Sequence, residues 1–470
     1  MTQRHRLRAN HLDRSLLGVG IAVAALVLSG CAGVSLSNSA ASPSVAGPLP
    51  TCTADQIKDP VGWLSTYTAG RDDLKKTQIA WQGVPLTSKA DSITAIARAT
   101  MLPCDPNVDP SNITAAPANV QLVASLIGPD DWKTLVHEDV VGTGAGGGPA
   151  PSGFSDPAAS YRTFLNLVGR FPLMCNEAGV WDSKTEACQR ELSAIFAHAA
   201  QETGAKPPPS GYVKWQVPFA WVREQTCYPD ICTKYDSGAS ALGAPADAHF
   251  YGRGMVQLSY PYNYANFSAA MFGDYTKLAN TPDLVAQSAD MVIGSGIWFV
   301  MTPQPPKPSM HDVLVGTYKP VKAADGIATD SNGSVTDKFA ATVSIINGGI
   351  ECSPSAGDGG TQALKDQAIA LTESRNRFDN YKSLLNFFKA KLTSVEDGYT
   401  ADTYCLIDNG NPFAASPADL GYQPYMYFNN DMVGCPATNY GGSVPLSMAN
   451  PGMGAVCQNL APKSSATASP

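Results

Sequence analysis

Residues 191–224 constrain this chain more than any other stretch. Leu192, Ile195, Phe196 and Ala199 recur at i, i+3, i+4 and i+7, which predicts a helix with one apolar face. Glu202 falls beside Ile195, at the edge of that face. Gly204 ends the pattern, and Pro207, Pro208 and Pro209 keep it ended. A carboxyl at the inner edge of a helix end is partly desolvated, and desolvation favours its protonated form. That suits a general acid working near neutral pH. A second carboxylate, Glu224, follows a loop carrying Tyr212, Trp215, Phe219 and Trp221. Two carboxylates on opposite walls of an aromatic cleft is the layout of glycoside hydrolysis. Taken singly and on spacing alone, each reads better as a surface glutamate, the usual state of that residue.

The rest of the chain bounds where such a site can operate. At 470 residues it is long enough for a main domain with smaller additions. Net charge is −8 and no basic stripe is present, which argues against nucleic acid as a partner. Arg4, Arg6, Arg8 and Arg14 precede an apolar run over 16–28, too short to span a bilayer and flanked like a secretory signal. The run ends in Leu28-Ser29-Gly30-Cys31, which resembles a bacterial lipobox. Residues 1–30 then read as the signal and Cys31 as a lipidated first residue, tethering the protein to a membrane without spanning it. The alternative is an ordinary cleaved signal peptide. Residues 31–50 carry no charge and read as a flexible tether. With Cys31 set aside, an even set of cysteines remains: Cys52, Cys104, Cys175, Cys188, Cys227, Cys232, Cys352, Cys405, Cys435 and Cys457. In an exported protein such a set implies disulfides. Cys175 with Cys188 and Cys227 with Cys232 are short-range candidates, and the other pairings stay open. No Cys or His spacing suggests zinc, so no metal or cofactor is expected.

Along the chain, most regular structure is expected to be helical. Residues 51–117 form a first region of unassigned role, with a helix over 92–101 and a turn-rich joint over 106–117. A helix is expected over 120–137, with Asp130 capping before Trp132. Residues 142–153 read as a mobile glycine-rich loop without the Gly-Lys-Ser/Thr of a phosphate loop. Tyr161, Phe164, Leu165, Val168 and Phe171 mark another helix. Residues 255–259 alternate and suggest a short strand or an extended floor segment. Asn280 to Asp283 should cap a helix running to Phe299, ended by the prolines of 303–308. Helices are also expected over 340–346, closing at Asn347-Gly348-Gly349, and over 367–388. The C-terminal region 406–470 is rich in Asn, Gly, Pro and Tyr, and its tail from Lys463 is expected to be disordered.

Seven blocks then occur in order: IFAHAAQETG (195–204), WVRE (221–224), YGRGMVQLSYPYNY (251–264), NTPDLV (280–285), IWFVMTPQPPKPSMHDV (297–313), IINGGIEC (345–352) and RFDNY (377–381). Together they resemble the glycoside hydrolase family 19 chitinases across 118–405. The resemblance implies a mainly α, lysozyme-like domain of the α+β superfamily, two-lobed, with a long substrate cleft. By position, Glu202 matches the general acid, Glu224 the general base, and Ser259 the residue that helps hold the attacking water. Gln257, Tyr262 and Asn263 match substrate contacts on the cleft floor, and Asn347 a contact to the N-acetyl group. Trp221 and Lys307 join the candidate substrate-binding residues, while Arg377 and Glu351 match an ion network behind the acid. The family inverts configuration, so the carboxylates should stand roughly 6.5–9.5 Å apart or somewhat more. Cys227–Cys232 resembles the family's short loop bridge and Cys352–Cys405 its C-terminal bridge.

Several of these residues also have plain structural readings. Asn347 can be a helix cap, Arg253 and Trp298 core residues, Tyr262 and Tyr264 packing groups, and His198 a structural histidine. The family's cysteine shortly before the base is replaced here by Val222 and Arg223. The expected protein is an exported, lipid-anchored, monomeric endochitinase acting on chitin or its oligosaccharides. The alternatives are a peptidoglycan hydrolase and a non-catalytic glycan-binding protein of the cell surface.

Overall fold

The chain divides into two compact units, Met1–Gly47 and Pro48–Pro470. The computed structural model describes residues 49–63, 101–144, 148–229, 232–236, 239, 243–272, 276–302, 307–318, 327–352, 361–399, 404–406, 428–429 and 432–433, all in the second unit. Cys31, Cys435, Cys457, the expected helix over 92–101 except Met101, and the tail from Lys463 lie outside the described residues. So does the middle of the glycine-rich loop, 145–147.

The described residues are mainly helical. In chain order the α-helices are α1 (Ala54–Lys58), α2 (Ala118–Leu126), α3 (Pro129–Leu135), α4 (Pro157–Arg170) and α5 (Lys184–Thr203). They continue with α6 (Pro261–Phe272), α7 (Thr276–Asn280), α8 (Ala289–Met301) and α9 (Met310–Val315). The last three are α10 (Lys338–Glu351), α11 (Thr361–Phe387) and α12 (Ser394–Asp397). Short 3-10 turns cover Pro110–Ala115, Lys214–Gln216 and Pro282–Ala286. Two strands, β1 (Phe428–Asn429) and β2 (Met432–Val433), pair antiparallel. Among the described residues no helix is long and apolar enough to cross a membrane.

Helix α5 is the axis. Ser183 caps its start by accepting from the Glu186 N–H, and Gly204 leaves its end in an extended conformation. The expected apolar face is present, and Leu192, Ile195, Phe196 and Ala199 are all fully buried. Burying a side chain such as Ile195 or Phe196 contributes about 1.5–3 kcal/mol. The helix is not amphipathic, however. It packs against α2, α8, α9 and α11, so its polar positions are buried too. Each of these finds a partner. Arg190 meets Glu186 and Glu396, and Glu191 meets His311 at 2.7 Å while accepting from the Cys175 N–H. His311 also meets Glu177, and despite burial the two carboxylates push its pKa up to about 10, so it is an imidazolium at neutral pH. Helix α8 is buried almost all round, which fits its near-continuous apolar sequence.

Several boundaries differ from the sequence expectation. The helix expected over 120–137 breaks at Ile127-Gly128, because Pro129 starts a new helix well and cannot continue an old one. Gly128, not Asp130, is the cap residue; its N–H donates to Asp131, while Asp130 pairs with Lys133 on the surface. The helix expected from Asn280–Asp283 to Phe299 is a 3-10 turn followed by α8, with Ser288 as the new cap. Helix α10 does not close at Asn347. That residue leaves helical geometry (φ −148°, ψ 23°), and the helix resumes to Glu351. Residues 253–258 form neither strand nor extended floor but a tight turn, closed by paired backbone hydrogen bonds between Arg253 and Leu258.

Among the described residues four disulfides are present: Cys52–Cys104, Cys175–Cys188, Cys227–Cys232 and Cys352–Cys405. The second ties the entrance of α5, and the fourth ties the end of α10 to the segment 404–406. Met101 and Val108 belong to the main core, and the Leu102 backbone exchanges hydrogen bonds with Arg170 at the end of α4.

Candidate active site

The end of α5 is stitched directly to the segment carrying Glu224. The Trp221 N–H donates to the Thr203 carbonyl at 2.9 Å, and the Phe219 N–H donates to the Thr203 hydroxyl at 2.9 Å. Just beyond, the Glu224 N–H donates to the Gly252 carbonyl and the Gly254 N–H donates to the Val222 carbonyl. This rung-by-rung connection puts Glu202 and Glu224 on one cleft of about 580 Å³. The cleft is also lined by Trp221, Gln257, Ser259, Asn263, Lys307, Asn347 and Arg377. The structure thus brings together every expected site residue except Tyr262, whose side chain is outside the described residues, and Glu351, which lies behind the wall.

The wall behind Glu202 is a buried charge cluster. The Arg377 guanidinium on α11 donates from Nε to both Glu351 oxygens and from Nη2 to Glu351 Oε1 at 2.6 Å and to Glu202 Oε1. Its Nη1 meets His198 Nδ1 at 3.3 Å. A guanidinium can only donate, so His198 Nδ1 accepts and its proton is on Nε2, which donates to Thr342 Oγ1 at 2.9 Å. Burial, helped by the adjacent guanidinium, holds the His198 pKa well below its ordinary value, so the ring is neutral. His198 is therefore structural, stacked on Phe339, which stacks in turn on Tyr381. Burial opposes the charge on Arg377, but the carboxylates of Glu351 and Glu202 overcome it and raise its pKa. Burial also raises the Glu202 pKa; Arg377 pulls it back, Glu351 pushes it further up, and the net direction is up. Asn347, displaced from helical geometry, donates to Glu351 Oε1 at 2.9 Å and so belongs to the same cluster. Lys307 donates to the Ile345 carbonyl at 2.8 Å, and burial lowers its pKa to about 8.

The opposite wall is built from loops. Glu224 Oε1 accepts from the Tyr235 hydroxyl at 3.0 Å and lies 3.2 Å from Lys234 Nζ, while Oε2 accepts from the Gly252 N–H at 3.2 Å. Gly252 is required by close approach, since a Cβ there would come within 3 Å of the Gln257 side chain. Gln257 has φ +52° and anchors its amide on the Trp221 carbonyl, and Gly254 turns the loop at φ +75°. The Ser259 hydroxyl donates to the Gln257 carbonyl at 2.9 Å, and Asn263 donates to the Ser259 carbonyl. The Asn263 side-chain oxygen is buried with no hydrogen-bond partner.

Sequence reasoning missed what holds this wall. Arg223 and Arg253, side by side in an antiparallel bridge, are both fully buried. Asp283 takes Arg223 bidentately at 2.7 and 2.9 Å and Arg253 at 3.3 Å. Burial would push the Asp283 pKa up, but the Arg223 pair brings it below the usual carboxylate range. Arg253 is a core residue, as expected, but a charged one held over the Tyr251 ring at 3.6 Å. Trp298 is core as well. Two arginines in WVRE and YGRG imply a buried counter-charge, and that was the available signal for Asp283. Nothing in the sequence pattern marked Lys234 and Tyr235.

Residues 154–371 match the family model described as Chitinase class I. Endochitinase B of Nicotiana tabacum is 37% identical over 195 residues, covering 41% of this chain and 54% of that relative. Endochitinase 2 of Solanum tuberosum is 35% identical over 210 residues, covering 44% of this chain and 59% of the relative. The chain thus spans between half and three-fifths of the length of these curated relatives. A solved class IV family GH19 chitinase from Zea mays overlaps 57% of this chain and 94% of its own, at 18% identity and a TM-score of 0.34, a likeness too low to bear on function.

Proposed function

We propose, from the family 19 chitinase domain carried by residues 154–371, that this protein is an endochitinase cleaving β-1,4 linkages between N-acetylglucosamine units with inversion. The observation that carries the reading is a division between two carboxylates on one cleft. Glu202 is largely withdrawn from solvent with its pKa raised, which suits an acid. Glu224 is held from the opposite side by the Tyr235 hydroxyl, the Gly252 N–H and the nearby Lys234 ammonium, which suits a carboxylate positioned to take a proton from water. In this mechanism Glu202 protonates the glycosidic oxygen as the bond to the anomeric carbon breaks. Glu224 takes one proton from the attacking water. Ser259, whose own proton is committed to the Gln257 carbonyl, accepts a hydrogen bond from that water's other proton. Trp221, Ile346 and the exposed Ile350 offer apolar surface to sugar faces and acetyl methyls. Gln257, Asn263, Asn347, Tyr262 and Lys307 are the proposed polar contacts to the sugar chain.

Replacing Glu202 by Gln should lower turnover of chitin oligomers about 10²–10⁴-fold and leave oligomer binding largely unchanged. Wild-type turnover in that variant would overturn the assignment, as would a β-anomer as the first product by NMR. Release of sugar from peptidoglycan but not from chitin oligomers would move the protein to the cell-wall reading.

The proposed catalytic region is 118–405, with 51–117 and 406–470 as additions. The four disulfides fit an oxidising compartment, which supports export. The proposed anchor is a lipid on Cys31, with the protein acting as a monomer. Loss of membrane fractionation in Cys31→Ser is the expected result, and unchanged fractionation rejects the anchor.

A further inference from the structure

Resting on the reading of Glu224 as the base, we propose that the segment 232–236 is a strap that aims its carboxylate, with Tyr235 as the positioning residue. The two carboxylate oxygens are treated unequally. Oε1 accepts from Tyr235 at 3.0 Å and lies 3.2 Å from Lys234, while Oε2 accepts only the Gly252 N–H at 3.2 Å. Each carboxylate oxygen offers about two lone-pair sites. The strap sets a hydroxyl donor and an adjacent ammonium against Oε1 and leaves Oε2 with a single backbone donor. Oε2 is therefore the oxygen that takes the water's proton, and the strap decides this by fixing rotation of the carboxylate.

The strap itself is held at both ends. Cys232 is bonded to Cys227, three residues after Glu224. At the other end, Asp236 Oδ1 accepts from the Phe250 N–H at 2.9 Å, and Oδ2 pairs with His249 Nδ1 at 2.6 Å. Between them the Tyr235 ring stands edge-on to Tyr260 at 5.2 Å. A hydroxyl so fixed holds its acceptor in one orientation before substrate arrives, which is how an orienting group assists a reaction. Lys234 contributes less, because its side chain is 62% exposed and its charge is screened.

The test is steady-state kinetics on chitin oligomers with Y235F, K234M, E224Q and the Y235F/E224Q double variant. Y235F should lower kcat about 10- to 100-fold with KM within about twofold, as expected for loss of a charge-assisted hydrogen bond. K234M should lower kcat about two- to threefold, an effect that disappears at high salt. In the E224Q background Y235F should change nothing further, because the tyrosine acts only through Glu224. Wild-type kcat in Y235F, or an equal loss in both backgrounds, overturns the strap. Wild-type turnover in E224Q would instead remove the base assignment, and the strap with it. Should Y235F fail to fold, D236N, which unpins the strap and keeps the tyrosine, carries the same expectation.

Discussion

The two walls of the cleft hold similar side chains by different means. The acid wall consists of long helices, α5, α10 and α11, closed around one buried guanidinium. The base wall consists of the segments 221–236 and 249–260, stapled by Cys227–Cys232 and tied down by Asp283 on two buried arginines. On the first wall burial dominates and raises the pKa of Glu202. On the second, hydrogen-bond donors converge on Glu224. The lesson is that the surroundings distinguish the proposed acid from the proposed base although both are glutamates, one withdrawn from solvent beside a charge cluster and the other oriented by donors from loops.

The largest expected effect breaks the acid wall. Arg377→Met leaves the fully buried Glu351 without its counter-charge and should cost about 3–5 kcal/mol in urea denaturation. A loss below about 1 kcal/mol would mean that the cluster contributes little to folding. Next in size, Asp283→Asn should cost about 1.5–3 kcal/mol, because Asp283 is partly exposed and the asparagine oxygen still accepts from the arginines. This variant should lower kcat more than its stability loss explains, since Arg223 and Arg253 flank Glu224 and its donor Gly252. Unchanged kcat would show that the base wall keeps its shape without Asp283.

The smallest effect sharpens the comparison through pH. As the proposed acid, Glu202 would work protonated, so its raised pKa should set the alkaline limb of kcat/KM above the ordinary carboxylate range. Glu351 is one of the groups that raise it. Glu351→Gln should therefore move that limb to lower pH. Movement to higher pH would contradict the proposed balance. A shift in the acid limb alone would place the control on the other wall.

The acid wall was the more legible in the sequence. Leu192, Ile195, Phe196 and Ala199 marked α5 by period alone, and Gly204 marked its end. Even so, the periodicity predicted a helix with one wet face, and the structure buries it all round. Period reports which residues must be inside; it does not report how many neighbours compete for the remaining faces. The base wall has no period to read. Its turn at 253–258 is held by a partner distant in sequence, the Val222 carbonyl, which accepts from the Gly254 N–H.

Local chemistry settles what each short stretch can do, and for this protein that included the apolar face of α5, where that helix stops and which glutamate lies at its end. Tertiary structure alone decided that Asp283, about 60 residues beyond Arg223, neutralises it, and that Tyr235 reaches back to Glu224. The physical reason is that helix signals are carried by neighbours within a turn or two. A buried charge takes its partner from whatever the fold brings within a few ångströms, at any distance along the chain.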